Sequence, residues 1–509
     1  MRILVSGGGL AGLTAAYWLQ KQGHEPVVVE NAPTLRDDGY GLDFFGAGYD
    51  VAERMGIIPA LAERQLSHDG TGAIAYVNAD GKILAALQFD AVREVLGGKY
   101  LPLMHGNLVD VVYDALPEDV EIRFGTSITD IDQTDEAVVI TFDTGRSESF
   151  DLLIGADGIH SNTRRLAFGP EKDYAVYLGY RFACFYLDGE YERSALWDNY
   201  VEPNREVGIY SSDDRERLVG FMLWGDQDGS WVPASDRADH IRAVYEGAGW
   251  QTQKVLDELP DGDDILMDTV TQIQMSTWRN GRVVLVGDAA GCMTLISGQG
   301  ASMALAGAYV LAEELGATDD WGQALANYEA RVKPQMDIRQ TKAHDFAKRF
   351  VPGSKAGVEA QVALMKLVTY HMFSGLLKTQ FVGDSFLETA ALRRLPESHD
   401  DLVGFTVDGK LTETDYATLS ITLDQVLANH PSIGLLLDVG GYDGIKLKAL
   451  LDDWRVGRTY HEKIRRLAVV GDNSLASIAA KMASPMYAKD GKHFAADQRD
   501  EAWEWVAGE

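Results

Sequence analysis

Residues Ile3–Ser6 (ILVS) form a short uninterrupted apolar run, and Gly7, Gly9 and Gly12 follow it directly. Leu10–Gln22 has helical composition and stops at Gly23, and Pro26–Glu30 (PVVVE) is a second apolar run closed by an acid. The pattern predicts a βαβ unit with buried strands and a glycine turn between the first strand and the helix. Two similar runs come later, FDLLIG from Phe150 and VLVG from Val284, each leading into a Gly/Asp turn. Between Asp173 and about Trp278 the texture changes to aromatic runs of period two, YLGYRFACFYLDG and REVGIYSSDDRERLVGFMLWGD, which predict antiparallel strands. Helical patterns dominate from Trp321 to about Met372, and Val362–Gly383 is apolar enough for core packing, a pocket wall or a subunit contact, while contact with a membrane surface is disfavoured by Lys366 and Lys378 being its only cations. The polar, proline-containing stretch Arg393–Asp401 reads as a linker. Beyond it a fresh strand, turn and helix capped near Thr412 or Thr414 precede the buried runs SIGLLLDVGGYDG and RRLAVVGD.

The first glycines stand in the G-x-G-x-x-G spacing. Gly7 permits the tight turn, Gly9 lets the backbone approach a pyrophosphate, and Gly12 lets the helix pack closely. Ala11 sits at the helix entrance, whose free N–H groups and partial positive charge suit a phosphate. Glu30 is placed to accept hydrogen bonds from an adenosine ribose and disfavours a 2′-phosphate at this site. The spacing alone does not separate FAD from NAD, and a plain glycine turn is the competing reading.

Two further segments bear on the cofactor. After the second run, Asp157, Gly158, Ser161 and Arg164 stand in a D-G-x-x-S-x-x-R arrangement. The third segment, VLVGDAAGCMTLISGQG, carries Gly287 and Asp288 and then Gly298, Gln299 and Gly300. With Arg36, six residues beyond Glu30, this order resembles the single-component flavin-dependent aromatic hydroxylases of the p-hydroxybenzoate hydroxylase fold. Gly39–Ile57 is similar to the branch containing the tetracycline-inactivating monooxygenases. The resemblance covers roughly residues 1 to 395 and implies that all three segments converge on one FAD. Asp288 would then meet the ribityl hydroxyls, and Gly298-Gln299-Gly300 would open a helix towards the isoalloxazine ring, where a helix N-terminus stabilises reduced flavin. Helix capping is the alternative for Asp157 and for Asp288. Gly291 and Leu295 stand where the family often has His and Pro, and His105 replaces a common Arg, so His105 is a candidate FAD contact with a solvated loop histidine as the alternative.

The implied fold class is α/β: a Rossmann-type FAD-binding domain (1–172 and 275–350), an inserted, mostly antiparallel substrate sheet (173–274), to which 76–100 is a candidate addition, and a helical segment (351–395). The tail, 402–509, resembles SpoIIAA-like domains of the STAS superfamily; the phosphorylatable serine of anti-sigma antagonists has no clear counterpart at Val439-Gly440-Gly441. Tyr180, Phe182, Phe185, Phe221, Met222, Trp224 and Leu295 are candidates for the substrate wall, with sheet packing as the alternative for each, since neighbouring strand residues face opposite ways. Arg181 is a candidate for an anionic substrate group or an ordinary surface arginine.

Composition narrows the partners. Acidic residues number 77 against 46 basic ones, a formal charge of -31 that opposes phosphate-backbone binding, so nucleic acid is not expected. The two cysteines, Cys184 and Cys292, have no metal-site or disulfide spacing and suit a reducing cytoplasm. The N-terminal segment has no signal-peptide pattern and no apolar run suffices to span a membrane. The expected activity, by resemblance, is a FAD-dependent monooxygenase in which NADPH or NADH reduces the flavin and a C4a-hydroperoxide delivers oxygen from O₂ to a hydrophobic aromatic or polycyclic compound. No side chain is assigned as acid or base, no metal is expected, and a homo-oligomer is allowed. The rivals are a flavin-dependent reductase, a halogenase, weakened because W-x-W-x-I-P is missing from the flavin region, and a ligand-binding regulator signalling through the tail.

Overall fold

The computed structural model describes residues 1–35, 40–66, 72–212, 217–294, 298–368, 387, 391–395, 397–427, 430–445, 456–472 and 488–508. The chain divides into two compact units, Met1–Glu329 with Met336–Gly383, and Ala330–Gln335 with Asp384–Glu509.

In the first unit a six-stranded sheet runs in the order Arg279–Asn280, Val283–Leu285, Leu152–Gly155, Arg2–Ser6, Glu25–Glu30, Glu121–Phe124. All pairings are parallel except that of Arg279–Asn280. Ile3, Leu4, Val5, Leu152, Leu153, Ile154, Val283 and Val284 are fully buried, which is why these strands read as continuous apolar runs rather than alternating ones. The register aligns Ser6 with Gly155 and Gly155 with Leu285. Three adjacent strands therefore end at one level, and each hands the chain to one of the three glycine-containing motifs. The helices Leu10–Lys21 and Gly300–Ala317 pack together beside them, with Trp18 edge-on to Tyr309 at 4.9 Å.

A second sheet of seven strands has the order Leu266–Ile273, Ala175–Leu187, Leu218–Gly225, Arg205–Ser211, Trp197–Glu202, Ala73–Val77, Ile83–Gln88. Only the Trp197–Glu202 and Ala73–Val77 pairing is parallel. From the stretch 76–100 the sheet recruits Ile83–Gln88 and the end of Ala73–Val77, whereas Tyr100–Met104 pairs with Gly41–Phe45. One face is covered by the helices Ala234–Tyr245 and Thr252–Asp257, whose Ile241, Tyr245 and Val255 form a core with Ala183, Phe185, Met222 and Trp224. The opposite face carries Phe182, Cys184 and Leu223, packed with Tyr40 and Val351. The helix Lys355–Val368 also packs against this sheet.

The second unit is built on a five-stranded sheet, Leu392–Arg394, Leu402–Leu411, Ile433–Ile445, Ile464–Val470, Gly491–Phe494, parallel except for the first pair. The polar stretch read as a linker thus begins inside an edge strand, a boundary that an Arg-Arg pair does not signal. Thr412 and Asp415 cap the helix Glu413–Leu427 reciprocally: Thr412 N donates to Asp415 Oδ2 at 2.7 Å, and Asp415 N to Thr412 Oγ1 at 3.3 Å. Asp415 is buried and also accepts from Leu392 N at 3.0 Å, which ties the edge strand to that cap. Among the described residues no helix is long and apolar enough to cross a membrane.

Candidate functional site

At the first motif Gly7 has φ +115°, and a Cβ there would lie 2.3 Å from the Ala156 carbonyl oxygen. A Cβ on Gly12 would lie 1.9 Å from the Gly7 carbonyl oxygen, so helix and turn are in direct backbone contact. Gly9 is different: a Cβ there meets nothing within 4 Å. Gly9 caps the helix Leu10–Lys21 without any side-chain hydrogen bond to its first turn, leaving those N–H groups available to an anion. Glu30 orders the turn, accepting from Gly8 N at 2.8 Å and Ala32 N at 2.7 Å; each carboxylate oxygen keeps a lone pair for a hydroxyl donor. These features fit a dinucleotide phosphate, because open space, bare donors and an oriented acid meet at one strand end.

The second motif abuts the first through its backbone, with the Cα of Asp157 2.9 Å from a Cβ built on Gly7. The Asp157 carboxylate braces the entrance of the helix Asn162–Ala167, accepting from its N-cap Ser161 Oγ and from Thr163 N and Oγ1 at 2.7 and 2.8 Å. Gly158, at φ +77°, turns the chain beside it. Arg164 is fully buried and its guanidinium is taken up by protein groups: Ala289 O of the third motif at 3.1 Å, Ile159 O at 2.5 Å and Glu171 Oε2 at 2.9 Å. It holds the second and third motifs together instead of facing the cleft. Glu171 also meets His160 Nδ1 at 3.0 Å, and His160 Nε2 lies 2.9 Å from Asp268 of the seven-stranded sheet. Asp268, then Glu171, push the His160 imidazole up to about 9 against the opposing effect of burial.

The third motif closes on the first. A Cβ on Gly287 would lie 2.8 Å from the Cβ of Ala11, so Ala11 and Gly287 mark the contact between the two glycine signals. Asp288 keeps partial exposure at the start of the turn Asp288–Gly291; its deep setting pushes the carboxyl up to about 6, opposed by a hydrogen bond from Cys292. Gly291 explains the missing family His, since a Cβ there already comes within 2.8 Å of Met336 and 3.3 Å of Trp278. Gly298 and Gly300 flank Gln299 in open space, and Gln299 accepts from Arg339 Nε at 3.0 Å. This helix entrance lines a pocket with Phe45, Gly46, Ala47, Ser302 and Met303. His105 begins the helix His105–Asp114 and stacks on Tyr40 at 4.7 Å. Arg36 and Leu295 lie outside the described residues.

Sheet register sorts the proposed wall. Phe182, Tyr180 and Phe221 belong to the face shared with Tyr40. Met222, Trp224 and Phe185 point the other way and are buried under the two covering helices; as packed core they cannot line a substrate cavity on the Tyr40 face. Arg181 is neither a surface group nor open to an anion, being 3% exposed and paired with Asp226 at 2.8 Å, with Ser230 O at 2.6 Å. Two residues that no motif marked also enter the picture. Asp43 lies between Gly41 and Phe45 on the short strand leading to the pocket, and Tyr100 OH donates to its Oδ1 at 2.6 Å.

Comparison with known proteins agrees with this architecture. Residues 1–336 match the FAD binding domain family, and residues 402–507 match the SpoIIAA-like family. The chain belongs to the FAD binding domain family and is a FAD-dependent monooxygenase carrying a SpoIIAA-like domain. A flavin-dependent monooxygenase from an unknown prokaryotic organism is 32% identical over 347 residues, 67% of this chain and 87% of that one. A FAD-dependent monooxygenase of Sarocladium schorii is 29% identical over 436 residues, 78% of this chain and 98% of that one. Among solved structures, the tetracycline destructase Tet(51) is similar with a TM-score of 0.62 and 28% identity, covering 75% of this chain and 99% of the other.

Proposed function

We propose that this monooxygenase takes two electrons from NADPH or NADH and one oxygen atom from O₂ to oxygenate a hydrophobic aromatic or polycyclic small molecule. The observation that carries this reading is the meeting of Gly7–Gly12, Asp157–Arg164 and Gly287–Asp288 at three adjacent strand ends; the seven-stranded sheet adds an apolar face bearing Phe182, Tyr180 and Phe221. Bound FAD supplies the electron transfer and oxygen activation. The chain's part is to hold it: bare N–H groups after Gly9 take the pyrophosphate, Glu30 the ribose, Asp288 the ribityl chain, and the Gln299 helix entrance the ring end. The aromatic face excludes water and offers a flat apolar ligand extensive contact. A neighbour whose name makes tetracycline its substrate supports a polycyclic compound for this chain too. In balance, nicotinamide hydride, a proton and O₂ give oxidised nicotinamide, water and a product one oxygen heavier.

Anaerobic bleaching of the flavin band by NADPH, alone and with phenols, quinolones and tetracycline-like polyketides, tests the reading. The expected result is faster bleaching with one compound, followed in air by equal consumption of nicotinamide and O₂. A fully loaded flavin that nicotinamide never reduces would leave the reaction without its electron source and overturn the proposal.

A further inference from the structure

The strand Gly41–Phe45 joins the pocket at the Gln299 helix entrance to the seven-stranded sheet. Its alternate residues Gly41, Asp43 and Phe45 share one side. At one end of that side Gly41 N donates to Tyr210 OH at 2.8 Å, and a Cβ on Gly41 would lie 3.3 Å from the Trp197 ring. At the other end Phe45 lines the pocket and packs in a cluster with Leu87, Phe89 and Tyr100. Asp43 stands between them, on the side of the strand that carries the pocket-lining Phe45. Its Oδ1 is fixed by buried Tyr100, while its Oδ2 accepts from none of the described residues. The residue sits deep enough for burial to raise the carboxyl pKa, against the opposing Tyr100 bond, yet it keeps accessible surface. With Oδ1 held by Tyr100 and Oδ2 without a donor among the described residues, on a partly exposed residue two positions from the pocket-lining Phe45, the carboxyl has an acceptor oxygen to spare for a ligand.

We propose that Asp43, oriented by Tyr100, is a specificity-determining residue that accepts a hydrogen bond from an O–H or N–H group of the substrate. This rests on the monooxygenase reading above and adds to it which molecules the site selects: a flat apolar skeleton carrying a donor near the flavin end of the cleft. Tyr100 OH, committed to Oδ1, prevents the carboxyl from rotating away, so the open oxygen stays directed at the ligand. Arg181 is already satisfied by Asp226 and lends an anionic substrate no support, in keeping with selection for a donor rather than a charge.

The test compares two ligand pairs that differ only in the donor, 2-naphthol with 2-methoxynaphthalene and 8-hydroxyquinoline with 8-methoxyquinoline. Binding to the FAD-loaded full chain is followed by flavin difference absorption. Wild type should bind the hydroxyl member of at least one pair about tenfold or more tightly, the scale of a hydrogen bond to a buried acid. Asp43→Asn keeps an acceptor for Tyr100 but turns an N–H₂ towards the ligand, and should abolish or invert the preference at unchanged flavin content. Tyr100→Phe should reduce it. Equal binding of both members of each pair by wild type, no binding of either, or a preference that survives in Asp43→Asn overturns the assignment. Flavin bleaching by NADPH in the same samples reports on the monooxygenase reading separately, so the two ideas fail independently.

Discussion

Gly9 and Gly12 stand three residues apart in one motif, and the structure gives them opposite reasons for being glycine. A Cβ at Gly12 falls 1.9 Å from the Gly7 carbonyl oxygen, and since that atom is backbone, no side chain can swing aside. The helix must retreat by roughly 1 Å or more before ordinary contact returns. Overpacking of that kind costs about 1–3 kcal/mol, and the retreat carries the first-turn N–H groups away from the phosphate. Gly9 has φ -84°, a value any residue adopts, and a Cβ there meets no protein atom within 4 Å. Gly9→Ala should therefore leave the flavin-free protein within about 0.5 kcal/mol of wild type, while weakening FAD by about tenfold or more, ~1.4 kcal/mol, because the methyl group occupies space kept for the pyrophosphate. Gly12→Ala should lose both stability and cofactor. Denaturant melts of flavin-stripped protein, paired with FAD titrations followed by quenching of flavin fluorescence, separate the two effects. If Gly9→Ala is as destabilised as Gly12→Ala without flavin, or binds FAD like wild type, the division of roles is wrong.

Asp288→Ala should release FAD or weaken it markedly, read as flavin content after gel filtration; unchanged content removes the role given to that carboxyl. Because the folded protein holds Asp288 up near 6, the group's contribution to stability is present below its unfolded value of about 3.9 and is lost as pH rises through 6. Asp288→Asn should flatten that part of the flavin-free stability profile. For His160, raised to about 9 by Asp268 and Glu171, the stabilisation is complete below about 6.5 and disappears as pH climbs through 9. Melting temperatures of wild type should fall over that window relative to His160→Ala, and parallel curves would contradict the ion pairs. Trp224→Ala removes a buried core ring and should cost about 3–5 kcal/mol in a urea melt with no change in the ranking of ligands. Phe182→Ala, on the opposite face, should alter that ranking.

What was legible in the sequence is what local chemistry dictates. Gly7, Gly12 and Gly287 are marked because only glycine tolerates their turns and close contacts, and the buried parallel strands declare themselves as unbroken apolar runs. The wall residues were harder. Both faces of the seven-stranded sheet are apolar, so period-two alternation says that Met222 and Phe221 face opposite ways without saying which is packed under helices. The answer depends on the helices Ala234–Tyr245 and Thr252–Asp257, whose covering of one face no local pattern announces. Asp43 escaped for a related reason, since a lone acid in an apolar strand acquires meaning only when Tyr100, 57 residues away, is found bonded to it. The pairing of Ala73–Val77 with Trp197–Glu202 is likewise long-range, and the strand Leu392–Arg394 takes its place from Val407, Thr406 and Phe405 across a polar turn.

Strand order also argues for one nucleotide site rather than two. Val283–Leu285, Leu152–Gly155 and Arg2–Ser6 are consecutive in the sheet, and neighbouring strands lie about 4.8 Å apart, so the three motif turns fall within roughly 10 Å of one another. Two independent dinucleotides would each need a free strand end and an uncovered helix N-terminus. Here Gly287 is pressed against Ala11, the backbone of Asp157 lies against Gly7, and the buried guanidinium of Arg164 ties the second turn to the third. On the function proposed above, a single extended cofactor would run from Gly9 past Asp288 to the Gln299 helix entrance, and Gly9, Gly298 and Gly300 are the glycines of these motifs at which a Cβ meets nothing within 4 Å, apart from Gly158. Its far end would then lie at the pocket that Phe45 shares with Gln299, Ser302 and Met303.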